Sequence, residues 1–325
     1  MVVHGFQKQV PRRPPPKGRV YVDGAIAYAT VVLDNGVVVH LTGENHIKPH
    51  TCAPCALVPG TSGPCMTSLA QYAADLAVRA RKTRRRLDVF LEQWMIPGDI
   101  RPRGKMYTSH TYIKHDSSLT RLYLQFGNTR GRSGVVRTHW IDIRDKHSHP
   151  QLDAHEYLKQ NYAVKNASVN ETRAFQKVVE TMLRSNRYSD NMQLRIEDYA
   201  RLYPRNATTF DGADVSRLRK SLLKLRPDVR DKLIDKVGAL SMSYDHPFDI
   251  MSMLVDAYAV ARMLYYAGYG TTRPVEGTSA VQFSHAGAFH TVTQYKLLQA
   301  SGVVASASRL QHVEKGCVHA PVIVV

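Results

Sequence analysis

Residues 37–91 set the tightest limit on the fold. An apolar β-type run, Val37-Val38-Val39-His40-Leu41, is followed by a polar loop, a helical stretch and a second β-type run, Leu87-Asp88-Val89-Phe90-Leu91. Within the helical stretch, Leu69, Tyr72, Ala73, Leu76 and Ala80 recur at the spacing of one helix face. Strand, helix, strand is a βαβ unit, so the chain is expected to build parallel strands with helices against the sheet. Further β-type runs at 135–143, 280–283 and 318–325 extend the pattern. The expected class is α/β, with a mixed or mostly parallel central sheet flanked by helices.

Around that unit, residues 19–41 read as β-rich, with Asp34-Asn35-Gly36 as a hairpin turn. A short strand is expected at 122–126. Residues 151–267 are mostly helical in pattern, broken at Tyr203-Pro204, Arg226-Pro227 and His246-Pro247, and form either an insertion or a helical layer over the sheet. Residues 1–18, with Pro11, Pro14, Pro15 and Pro16 among Arg12, Arg13 and Lys17, suit an extended basic arm, leaving 19–325 as a single α/β domain.

No apolar run approaches the roughly 20 residues needed to cross a bilayer, and the start lacks a signal-like apolar core. The expectation is therefore an intracellular, unsecreted protein with no membrane partner. A formal charge of +17 favours polyanionic company, either nucleic acid or an acidic protein. Cys52, Cys55 and Cys65 cluster near His46 and His50 while Cys317 is remote, which leaves zinc, a redox pair, plain thiols or a disulfide open.

The chemistry gathers at strand ends. Gly43-Glu44-Asn45-His46 and Gly287-Ala288-Phe289-His290 each follow a β-type run, and glycine is expected to turn the backbone sharply there. Glu92 ends another run, and Val135 to Arg144 carries His139, Asp142 and Arg144. Ligands of open α/β sheets collect beyond the carboxyl ends of strands, so these ends are expected to converge on one cleft. Carboxylates with imidazoles hold a divalent metal or divide acid and base roles. For His46 and His290 the bland alternative is a turn histidine satisfied by backbone, and for Glu92 a helix cap or an arginine pair.

Alternation puts Asp142 and Arg144 on one strand face and His139 on the other, as a structural residue. Asp256 and Arg262 lie six apart on the last middle helix, and Arg262 is expected to reach the cleft or to pair with Asp142 or Glu92. His285 reads as exposed, and His147 and His149 as part of a solvated loop. The run Arg79, Arg81, Lys82, Arg84, Arg85 and Arg86 closes the first long helix. It is either a solvated face complementing the helix dipole or a phosphate-binding patch, with Arg81, Lys82, Arg84, Arg85 and Arg86 as candidate nucleic-acid contacts.

Two Gly-x-x-His motifs with an intervening strand-end glutamate resemble the TraB/PrgY/Tiki group and the wider erythromycin esterase-like and ChaN-like set. More specifically, the order Gly43-Glu44-Asn45-His46, Asp88 to Glu92, Arg137 to Arg144, Asp256 to Arg262 and Gly287 to His290 resembles an uncharacterised family of large DNA viruses of eukaryotes. The resemblance covers residues 37–300, with the middle held by spaced motifs. It implies an α/β core with a polar site at the strand ends, in a protein of the host cytoplasm or the virion.

By the same resemblance His46 and His290 are the two motif histidines and Glu92 the strand-end carboxylate. Tiki-like members are regarded as metal-dependent proteases, erythromycin esterase-like members as hydrolases, and ChaN-like members bind haem. The expected function is a metal-assisted hydrolase of protease or esterase type. His46, Glu92 and His290 hold a divalent Mn, Co or Zn ion or move protons with Glu44, beside Asp142, while Arg144 and Arg262 stabilise negative charge. The substrate is not legible. The rival is a non-catalytic virion-associated protein that binds nucleic acid or an acidic viral protein through its basic surface.

Overall fold

The computed structural model describes residues 18–45, 65–94, 118–126, 134–142, 168–184, 212–245, 247–275, 277–313 and 317–323. His46, Arg144, His147, His149, Cys52, Cys55 and the basic arm up to residue 17 lie outside them.

The strands of the central sheet are β2 (Ala27–Leu33), β3 (Val38–Glu44), β5 (Leu87–Trp94), β6 (Val136–Asp142), β7 (Val281–Gly287), β8 (Val304–Ala307) and β9 (Gln311–His312). They stand in the order β6-β5-β7-β3-β2-β8, with β9 also on β2. The four from β6 to β3 are parallel, and β2, β8 and β9 add antiparallel pairs. The sheet is mixed around a parallel core, as the βαβ pattern requires. The hairpin joining β2 to β3 turns at Gly36, whose φ of +82° is a left-handed value that glycine adopts without strain.

A smaller sheet sets β1 (Arg19–Asp23) between β10 (Val318–Pro321) and β4 (Met66–Ser68). Cys65 and Cys317, the residues just before β4 and β10, are both disulfide-bonded. For these two cysteines, the alternatives left open by spacing resolve to disulfides.

Two helical layers cover the central sheet. On one face lie α1 (Leu69–Thr83) and α2 (Ser118–Phe126), whose Tyr72, Leu76, Leu119, Leu122 and Phe126 share a core with Leu87, Val89, Leu91 and Phe283. On the other lie α3 (Val169–Arg184), α4 (Gly212–Leu222), α5 (Pro227–Ser241), α6 (Pro247–Leu264) and α7 (Ala288–Ala300), packed on Val39, Leu41, Phe90 and Ile141. The helical middle is thus a layer over the sheet. Helix α6 is apolar nearly all round because it lies between the sheet and the outer helices, where both of its sides are buried. No helix among the described residues is long and apolar enough to cross a membrane.

The strand expected at 122–126 is a helix instead. Leu119, Leu122 and Phe126 are the buried residues, at offsets of three and seven, which is a helical spacing. The start of α2 is fixed from far away, since Glu44 Oε2 at the end of β3 accepts the Ser118 and Leu119 N–H groups at 2.8 and 3.3 Å. A carboxylate there satisfies orphan donors and complements the positive helix end.

Candidate active site

β5 and β7 are neighbours, yet the helices that follow them, α2 and α7, pack on opposite faces of the sheet. At such a switch the ligands of open α/β sheets bind beyond the carboxyl ends of the strands. Glu92, from β5, and His290, from the first turn of α7, meet there.

Glu92 Oε2 accepts the Gly287 N–H at 2.7 Å, and its Oε1 lies 3.1 Å from His290 Nε2. On the other side of the ring, His290 Nδ1 is 3.0 Å from both oxygens of Asp256, on α6. Gln294 Nε2 donates to Asp256 Oδ1 at 3.1 Å and accepts from Ser284 Oγ through its own carbonyl. An imidazole with a carboxylate at each nitrogen carries both protons. Burial disfavours that charge, but Asp256 and Glu92 outweigh it and raise the His290 pKa well above its usual 6.5. Asp256 is wholly buried, and burial pushes its carboxyl up to about 6 against the pull of His290.

The two Gly-x-x-His motifs touch. Glu44 is in register with Gly287, and Thr291 Oγ1 donates to the Thr42 carbonyl at 2.9 Å. Neither motif glycine has a positive φ, so neither position uses glycine's left-handed freedom, although at Gly287 the chain does turn straight from β7 into α7. A Cβ on Gly43 would instead meet Thr291 Oγ1 at 2.6 Å and Ala288 Cα at 2.7 Å. Glycine is needed at Gly43 because helix α7 crosses the strand there with no room for a side chain.

Glu44 itself points to the opposite face, where it holds α2 and lies 3.7 Å from His285 Nε2. That separation is too long for a hydrogen bond. His285, expected to be exposed, is fully buried because β7 has a strand on each side; its Nδ1 is 2.9 Å from Thr42 Oγ1. Asp142 is buried and, by alternation, shares the face of Trp140, opposite His139.

Arg262 does not reach Glu92, Asp142 or His290. Its Nη2 donates to His139 Nδ1 at 2.9 Å and its Nη1 to Tyr258 at 3.1 Å. Since arginine only donates, His139 Nδ1 is an acceptor and its proton sits on Nε2, 2.7 Å from Asp88 Oδ1. Asp88 also takes a two-pronged pair from Arg137, 2.5 Å at each oxygen, and a bond from Ser279 Oγ. Phe90 and Tyr266 sandwich the His139 ring at centroid distances of 4.6 and 4.4 Å. Burial lowers the His139 pKa to about 4, so the ring is neutral. Burial alone would raise Asp88, but the His139 and Arg137 hydrogen bonds outweigh it and hold the carboxyl below its ordinary value.

Sequence reasoning therefore missed Asp256 and Asp88 as partners. The available signal for Asp88 was its place inside an apolar β run, where an aspartate is costly unless paired. Arg137 and His139, alternating on the next strand, were the pairing groups.

The implied metal set was His46, Glu92 and His290. Among the described residues no cluster of three or more His, Cys, Asp or Glu side chains is placed to share a metal. Glu92 and His290 are nonetheless an oxygen and a nitrogen donor side by side, and Asp256 on Nδ1 is the outer carboxylate that commonly orients a metal-bound imidazole. These are two of the three implied donors, and His46 lies outside the described residues.

No protein-family model, curated protein or solved structure matches the chain.

Proposed function

We propose that this chain is a hydrolase of ester or amide bonds, working by general acid–base chemistry at the carboxyl edge of its parallel strands. One observation carries the reading: His290 is held between Asp256 and Glu92 at the start of α7, at the carboxyl end of β7. Paired groups of this kind divide the two proton transfers that hydrolysis needs.

Glu92 takes the proton that water loses as its oxygen attacks the carbonyl. The Nε2 proton of His290 passes to the departing oxygen or nitrogen, and the proton on Glu92 then returns to Nε2. Asp256 keeps Nδ1 protonated and sets the ring plane throughout, supported by Gln294. Glu92 and His290, the latter only once Nε2 has lost its proton, are the residues that would hold a Mn, Co or Zn ion in place of the proton they share. Such an ion, when bound, polarises a carbonyl and lowers the pKa of water. Arg262 serves the Asp88 network and has no direct part in this reaction.

The test is turnover of activated esters and fluorogenic peptides, with each divalent ion and with chelator. Glu92→Gln and His290→Gln should each lower kcat by about 100-fold or more, the usual weight of an acid–base group. Turnover unchanged in both variants would sink the proposal.

A further inference from the structure

Helix α1 ends in a group of cations that the acid–base site does not use. Arg79, Arg81, Lys82, Arg84 and Arg85 are all exposed, and among the described residues none of them forms an ion pair. Arg84 is the C-cap, with a left-handed φ of 50°, and its N–H returns to Ala80 O and Arg81 O. The chain thus reverses within the patch and brings Arg85 back beside the last turn, where its N–H bonds Ala80 O at 3.0 Å.

Complementing the helix dipole does not account for so many charges. The carboxyl end of a helix carries about half a negative charge, which one lysine or arginine balances. Arg79 and Lys82, three apart on the helix, repel one another at a cost of roughly 0.2–0.5 kcal/mol, and the reversal at Arg84 adds Arg85 to the same end. Counter-charge from a polyanion removes that repulsion.

The location separates this surface from the candidate active site. Arg86, the next residue, accepts the Ala280 and Val281 N–H groups through its carbonyl, so the patch lies where β5 and β7 begin. Glu92 and His290 lie where those strands end. A ligand docked on the cations therefore leaves the carboxyl edge of the sheet clear.

We propose that this end of α1 is a docking surface for the phosphate backbone of nucleic acid, bound without regard to sequence. Arginine dominates the patch, and its planar fork matches phosphate oxygens two at a time. The exposed cations lie along the last turn of α1 and just past its cap, so the contact is with phosphates and base edges are not read. The net charge of +17 draws the same ligand at longer range.

The experiment is fluorescence anisotropy of the full chain with a labelled duplex of arbitrary sequence, from 50 to 300 mM salt. The variant Arg81→Gln/Lys82→Gln/Arg84→Asn/Arg85→Gln removes four charges, with asparagine chosen for the left-handed position. Each phosphate contact contributes about −0.9 to the slope of log K against log salt, so the variant slope should be shallower by about 3 to 4. Its affinity near 100 mM salt should fall at least about 10-fold, and a second duplex of unrelated sequence should bind equally. Glu92→Gln should bind the duplex as the parent does. An unchanged slope and affinity in the charge variant would overturn the proposal. Tighter binding of poly-glutamate than of duplex, lost in the same variant, would also overturn it and assign the surface to an acidic protein.

Discussion

Two buried polar networks lie on the same face of the sheet and draw on the same two elements, β5 and α6. Asp88 and Glu92 stand four residues apart on β5, and Arg262 and Asp256 stand six apart on α6, so the motif residues divide between them. In the mid-sheet network every charge of Asp88 is met by Arg137, His139 and Ser279, and aromatic rings close both faces of the imidazole. The strand-end network sits at a helix N-terminus, with an imidazolium shared by two carboxylates. The first arrangement fixes one proton on one nitrogen. The second leaves protons between acids and a base of raised pKa, which is the property a reaction needs.

The largest expected effect separates the two by what each loses when its aspartate is neutralised. Asp88→Asn leaves Arg137 buried without its counter-charge and should cost about 3–5 kcal/mol of stability. Asp256→Asn keeps Glu92 beside His290 and should cost less, about 1–3 kcal/mol, while turnover drops with the ring no longer held. Urea denaturation with kinetics on both variants checks this. Equal losses of stability and turnover in the two would erase the distinction between a structural network and a reacting one.

Protonation separates them by sign. His139 is held near 4 by burial, below its unfolded value of about 6.5, so protons favour the unfolded chain. Its contribution, about 3 kcal/mol, is present above pH ~6.5 and is lost as pH falls towards 4. His40, also lowered to about 4 by burial, acts in the same sense. His290 is raised, so its contribution is complete below pH ~6.5 and is lost as pH rises through the elevated value. Asp256, raised to about 6, adds a decline between its ordinary value and that pH. Denaturation curves from pH 4.5 to 9 should show a smaller acid-side loss in His139→Gln and a smaller alkaline-side loss in His290→Gln. The same flattening in both would mean that the networks titrate as one.

How much of this was legible depends on the range of the interaction. The βαβ core, the hairpin at Gly36 and the face alternation of His139 and Asp142 follow from local periodicity, and the sheet displays them. Which end of α6 meets the strand ends does not. Six residues of helix span about 9 Å, so the choice between Asp256 and Arg262 turns on the direction in which α6 crosses the sheet. The burial of His285 depends on β7 being central, which strand order decides. The start of helix α2 is also out of local reach, since its N-terminal cap comes from Glu44, 74 residues earlier in the chain. The role of Gly43 depends on α7, which is equally remote in sequence.

The smallest expected effect concerns Glu44, the motif carboxylate at the end of β3 on the other face of the sheet. As the cap of α2 it should behave like other capping residues: Glu44→Ala costs about 1 kcal/mol, and Glu44→Gln only a few tenths because an amide oxygen still accepts the Ser118 and Leu119 N–H groups. Turnover should change little in the glutamine variant, since the reacting groups lie on the α7 side. Thermal melts and kcat measured together decide the matter. If Glu44→Gln keeps its melting temperature yet loses as much turnover as Glu92→Gln, the reaction draws on both faces of β7. His285, 3.7 Å from Glu44, would then be the next residue to vary.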